Sequence, residues 1–264
     1  MLIDCDLLTE NFWVPIDRLA NKPIKVAQYN QGKIEFVYPT TWSIIQLDET
    51  HRWGRNGFGF SVGPTHNIIS FCQKGLLQKP SHSFKPRGYF KTGGKLSGTV
   101  HELSLQEKLL VGYHVMGEPV TLGRIRSLAI KRIKFRYHDK ILALVKKLKY
   151  DYVIDEGIIV CVPETSHFGK LSSWVSLKNK SCDWCLEVLK ELLAYKVKLD
   201  EYDLVETLAS MADSVIKHGK LVYDEITIYN LKQKVFRFEA VGYDIKVPSN
   251  MLICRTDKIF ITGT

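Results

Sequence analysis

The sequence predicts an α+β protein in which two β-rich chain ends build one domain and an α/β segment interrupts it. One observation is the tail, where 244–247 and 252–254 alternate, 258–262 is rich in strand formers, and Pro248-Ser249-Asn250 breaks the run. Another is a set of short strand-like runs near the start, over 11–19, 24–29 and 33–37, which are the available partners for strands at the far end. Between them the apolar spacing changes from two to about 3.6 residues, the period of a helix. These shifts divide the chain into 1–95, 96–222 and 223–264, with the outer segments folding together.

A chain of 264 residues is long enough for one domain or two and for a sizeable core. Its 45% apolar and 25% charged residues are an ordinary globular composition. No apolar run nears the roughly 20 residues of a membrane span, and no charged-then-apolar leader stands at the start. A cytoplasmic protein without a membrane partner, and a monomer, is therefore expected. The net charge of +9 favours a polyanionic partner, with a merely soluble basic surface as the open alternative. Among six cysteines only Cys182 and Cys185 are closely spaced. One C-x-x-C lacks the second ligand pair of a zinc site, so it reads as structural, at the start of a helix.

Taken in order, residues 1–72 are β-rich, with turn signals at 30–32, 55–57 and 63–64. His66 stands just before an apolar run, a position that by itself suits a surface turn. Residues 78–98 are polar and basic and read as a connection leaving the β-rich part. Their interleaved aromatics and cations, Arg87 and Lys91 among them, would also suit a phosphate backbone, and both readings stay open. Ser104 with Glu107 three residues on is a capping box that opens a helix through 109–117. Helices are expected over 139–149, 183–194 and 204–218, the last ending at Gly219. A strand over 130–137 carries Arg132, Lys134 and Arg136.

Several of these stretches resemble the splicing blocks of inteins. The tail residues Val247-Pro248-Ser249, Arg255 and Ile261-Thr262-Gly263 are similar to the closing blocks, and Trp13-Val14-Pro15-Ile16 followed by Lys25-Val26-Ala27 to the opening block. His66 matches the histidine that polarises the upstream junction, although Gly63 stands where that block has threonine. Asp244 matches the position where Asp or Cys helps to order the two cleavage steps. The resemblance implies a horseshoe-like Hint domain made by both ends, autocatalytic splicing without a cofactor, and a host protein on either flank. It also implies a Cys or Ser at residue one and an Asn as the last residue, where this chain has Met1 and Thr264. A methionine has no nucleophilic hydrogen-bearing atom and a threonine no amide to cyclise, so an inactive or trapped form is expected. Decay of a natural element and deliberate replacement both explain that form. Cys5 lies four residues too far along to substitute.

The middle resembles a LAGLIDADG homing endonuclease, the α/β domain commonly inserted in inteins. The helix 109–117 is similar to its first signature helix, 131–137 to part of its DNA saddle, and 183–197 to its second signature helix. The resemblance implies a double-stranded DNA partner, with Arg132, Lys134, Arg136, Arg87 and Lys91 facing phosphates and base edges. Family enzymes hold Mg²⁺ with one acid at the end of each signature helix; Met116 and Lys196 stand there instead. The nuclease therefore reads as lost, and Mg²⁺ as needed only if an acid such as Glu118 has taken over. Met116 otherwise reads as a core residue at a helix end. Two other readings stay open: a non-catalytic, sequence-specific DNA-binding protein derived from such an endonuclease, and an unrelated basic interaction protein.

Overall fold

The computed structural model describes residues 1–19, 22–55, 58–72, 75–84, 87–122, 125–131, 135–154, 157–161, 176–195, 202–217, 220–223 and 227–264. It is mostly β with a few helices, in two compact units. The first unit joins Met1–Thr99, Ser176–Cys182 and Ala209–Thr264; the second joins Val100–Val175 and Asp183–Leu208. Both chain ends thus share one unit, and residues 209–222, expected in the insertion, lie in it as well.

In the first unit the tail enters two sheets: two of its strands each lie between partners, and Ile259–Gly263 closes one edge. The strand Ala240–Lys246 lies between Leu2–Ile3 and Thr41–Leu47, with Leu2 opposite Tyr243 and Tyr243 opposite Ile44. The strand Met251–Arg255 lies between Asp6–Thr9 and Ile259–Gly263, with Leu7 opposite Cys254 and Ile253 opposite Ile261. Val26–Asn30 and Lys33–Val37 extend the same sheet, and Phe12–Pro15 pairs with Asp6–Thr9. A third sheet contains Gly75–Pro80, Asn67–Cys72, Arg87–Phe90 and Thr227–Asn230. The run expected as one strand over 11–19 is shorter: Ile16–Leu19 is a helical turn that buries Ile16 and Leu19.

Aromatic packing explains why 78–98 is not a bare connection. Phe84 and Phe90 are buried, Phe84 edge-on to Trp53 at 5.2 Å and Phe90 against Phe58 at 6.0 Å. Phe60 stacks on Phe260 from the tail at 4.9 Å, so the cluster ties the start, this segment and the end together. A fully buried Phe contributes about 1.5–3 kcal/mol by area alone, enough to order a segment whose average composition is polar.

The second unit has an antiparallel sheet in the order Gly117–Leu122, Ile125–Lys131, Gly157–Cys161, Asp151–Ile154. Its helix Leu105–Met116 begins at the expected capping box: Ser104 Oγ accepts from the Glu107 N–H at 3.2 Å, and Glu107 accepts from the Ser104 N–H at 2.8 Å. That helix packs against Phe135–Leu148, and Gly112 gives Ile141 room to approach. The helix expected over 183–194 is present as Cys182–Ala194.

Two other expectations are corrected. The strand expected over 130–137 ends at Lys131, and a helix runs from Phe135 to Leu148. Tyr137 turns inward, its hydroxyl donating to the Ala194 carbonyl at 3.0 Å, so the apolar face begins earlier than the charge alternation suggested. The helix expected over 204–218 stops at Met211, and Ser214–Lys217 is a strand. Asp213 adopts a positive φ of 51° there. Its N–H donates to the carbonyls of Gly94 and Ser210, and its carboxylate accepts from Lys91 at 2.9 Å, which fixes the break.

Candidate functional site

The convergence of both chain ends in the first unit is densest around His66. Strand Phe58–Val62 carries the chain into a turn in which the His66 N–H donates to the Gly63 carbonyl at 3.1 Å. The Gly63 N–H in turn donates to the Met1 carbonyl at 3.1 Å. The imidazole is 2% exposed, with Nδ1 at 2.8 Å from the Met1 nitrogen and Nε2 at 2.6 Å from Thr262 Oγ1. Gly263 reaches the neighbouring residue: a Cβ on it would stand 2.6 Å from the Asn67 carbonyl oxygen. Residues 1, 66–67 and 262–263 thus meet at one point.

The protons at that point can be assigned from donor chemistry. Burial pushes the His66 ring well below the usual histidine range, and the charge of the Met1 amine adds to the effect. A neutral ring has one donor and one acceptor nitrogen. The nitrogen of residue 1 donates to Nδ1, and Nε2–H donates to Thr262 Oγ1, which lies 3.5 Å from the Asn67 carbonyl. The imidazole is held where it can exchange a proton with the nitrogen of residue 1. As an amine, that nitrogen is itself pushed down by burial, an effect partly offset by the negative charge of Asp244.

Asp244 reaches this neighbourhood through strand register. With Leu2 opposite Tyr243, the antiparallel ladder brings Asp244 across from Met1. Thr264 is held separately: its N–H donates to the Asn250 carbonyl at 3.1 Å, and Asn250 sits at a turn with φ 57°. The Ser249 N–H donates to the buried Gln28 Oε1 at 3.0 Å, which fixes that turn. The sequence places Thr262 among the strand formers of the tail and in the closing-block resemblance, without singling it out as a partner of His66. A threonine inside a strand whose every residue is buried must find a hydrogen-bond partner, and that was the signal available.

Lys91 pairs with Asp213 and lies over the Tyr29 ring at 5.8 Å. Arg87 opens the strand Arg87–Phe90, and Arg136 lies in a helix instead of a strand. Arg132, Lys134 and Lys196 lie outside the described residues. Met116 is half-buried at the end of its helix, capped by Gly117. A thioether and an ammonium do not fit Mg²⁺, which takes oxygen donors. Among the described residues no group of three or more His, Cys, Asp or Glu side chains is arranged to hold a metal ion. Nor is any described helix long and apolar enough to cross a membrane.

No family model matches the chain, and no curated protein matches it. Among solved structures, the chain is similar to a splice-inactive variant of the AceL NrdHF class 3 split intein, at 9% identity and a TM-score of 0.45, over 100% of this chain and 97% of that one.

Proposed function

We propose that the first unit is an intein-type protein-splicing element whose two junction residues, Met1 and Thr264, have been replaced. The observation that carries this reading is His66 Nδ1 at 2.8 Å from the nitrogen of residue 1, with Thr262 on the other ring nitrogen. When an acyl group moves from that nitrogen to a side-chain nucleophile, the nitrogen leaves as an amine and must gain a proton. A histidine held at that nitrogen can relay it, with Nδ1 taking the proton of the attacking thiol or hydroxyl and passing it to the leaving nitrogen. The resemblance of the opening and closing blocks supports the same assignment. Asp244, across from Met1, is the group that would order the upstream step relative to the downstream one.

The test restores the missing atoms. With flanking peptides attached, Met1→Cys together with Thr264→Asn should ligate the flanks, read by mass spectrometry, whereas the unsubstituted chain between the same flanks should stay intact. A folded double variant that gives no ligation and no junction cleavage would overturn the reading.

For the second unit the proposal is a LAGLIDADG-type DNA-binding insertion without nuclease chemistry. The closely spaced cations Lys131, Arg132, Lys134 and Arg136 and the lack of oxygen donors at 116 and 196 support it. Duplex binding should weaken steeply between about 50 and 200 mM salt, and metal-dependent cleavage should be absent. Binding that ignores salt would remove the support from charge. If duplex binding stands while the restored junctions stay inert, the chain is better described as a DNA-binding protein.

A further inference from the structure

A second buried polar cluster adjoins the His66 turn without touching its ring. His51 is 3% exposed and Ser81 0%. Trp53 Nε1 donates to Ser81 Oγ at 2.9 Å, and His51 Nδ1 lies 2.9 Å from the same oxygen. Gln233 Nε2 reaches His51 Nδ1 at 3.1 Å, and His51 Nε2 lies 2.9 Å from Glu49. An indole N–H and an amide N–H only donate, so the cluster has one consistent proton arrangement. Trp53 donates to Ser81, the Ser81 O–H donates to the single lone pair of His51 Nδ1 with the Gln233 amide alongside it, and His51 Nε2–H donates to Glu49.

The consequence lies in the main chain of the short 3₁₀ turn Ser81–Ser83. The Ser81 N–H donates to the His66 carbonyl at 2.8 Å, and the His82 N–H donates to the Pro64 carbonyl at 3.1 Å. These bonds continue the pairing of Asn67–Cys72 with Gly75–Pro80 beyond its last pair, Pro80 opposite Asn67. They grip the histidine turn on both sides of Thr65. No side chain intervenes, so a displacement of residue 81 moves the backbone of residue 66 directly.

We infer that Ser81, held by Trp53, His51 and Glu49, is a positioning residue that sets where the His66 imidazole stands relative to residue 1. Its structural part follows from the hydrogen bonds alone; its catalytic consequence rests on the splicing reading above. Removing the hydroxyl leaves the Trp53 and His51 nitrogens without their shared partner, and the turn relaxes to recover them. Displacements of this kind at a reacting pair lower rates by roughly tenfold to a hundredfold.

Two readouts separate this role from general stability. In the unsubstituted chain, ¹⁵N-histidine NMR reads the His66 ring directly. In a Met1→Cys variant carrying an upstream peptide, thiol-induced cleavage at that junction reads the chemistry. Ser81→Ala should shift the His66 ring resonances and slow cleavage at least about tenfold at a temperature where the chain is folded, and Ser81→Thr should restore both. Unmoved His66 resonances in folded Ser81→Ala overturn the inference, whatever the cleavage rate. A Met1→Cys parent that does not cleave refutes the splicing reading, and the NMR comparison still decides the positioning role. Should Ser81→Ala fail to fold, Gln233→Ala at the exposed end of the cluster should produce a smaller shift in the same His66 resonances, and no shift there counts against the inference.

Discussion

His66 makes the first unit sensitive to acid, and the sign follows from its burial. In the folded chain the ring resists protonation well below the ordinary value of about 6.5, whereas in the unfolded chain it titrates there. Below that value the unfolded state binds more protons, so stability is present at neutral pH and falls as pH drops. The midpoint of thermal unfolding should therefore decline from pH 7.5 to 5.5, and His66→Gln should flatten that dependence while lowering stability at pH 7.5. A slope unchanged by the substitution would assign the acid sensitivity elsewhere. His66 was legible because it stands between a turn signal and an apolar run within a few residues, although Gly63 replaces the threonine of the block it resembles. Thr262, its other partner, was not: the two lie 196 residues apart, and only the folded register joins them.

At the scale of elements, what the sequence revealed tracked how local the deciding interactions are. The helix Leu105–Met116 was legible because its capping box lies within four residues. The end of helix Tyr202–Met211 was not, because Asp213 is set by Gly94 and Lys91, far away in sequence. The basic stretch 78–98 misled for a similar reason: its charge is visible in any window, while Phe84 and Phe90 find their partners only in the assembled core. Phe90 is 1% exposed and packs on Phe58, Phe60 and Phe84. Phe90→Ala should cost about 3–5 kcal/mol in denaturant unfolding, within the range for a large buried ring. A loss below about 1 kcal/mol would mean that the segment is the loose connection its composition suggested.

Across the whole molecule, the consequence of building 240–263 into two sheets is that the first unit cannot form without those strands. Deleting 240–264 removes the strand that joins Leu2–Ile3 to Thr41–Leu47, the strand beside Asp6–Thr9 and Val26–Asn30, and the strand that closes that sheet. It also removes Ile245, Val247, Leu252, Ile253, Ile259, Phe260 and Ile261, all fully buried. At about 1.5–3 kcal/mol for each large apolar side chain, that loss matches or exceeds the ~5–15 kcal/mol by which a domain is stable. The strands left behind would expose unpaired backbone and apolar faces, which favours association between chains. A chain ending at residue 239 should therefore show no cooperative unfolding of the first unit and should aggregate at concentrations where the full chain stays dispersed. The outcome to set against this is a truncated chain with a sharp melting transition and the Trp53 near-ultraviolet signature intact. That result would show that the N-terminal strands hold their own core, and that the two ends need not fold together for the His66 site to be assembled.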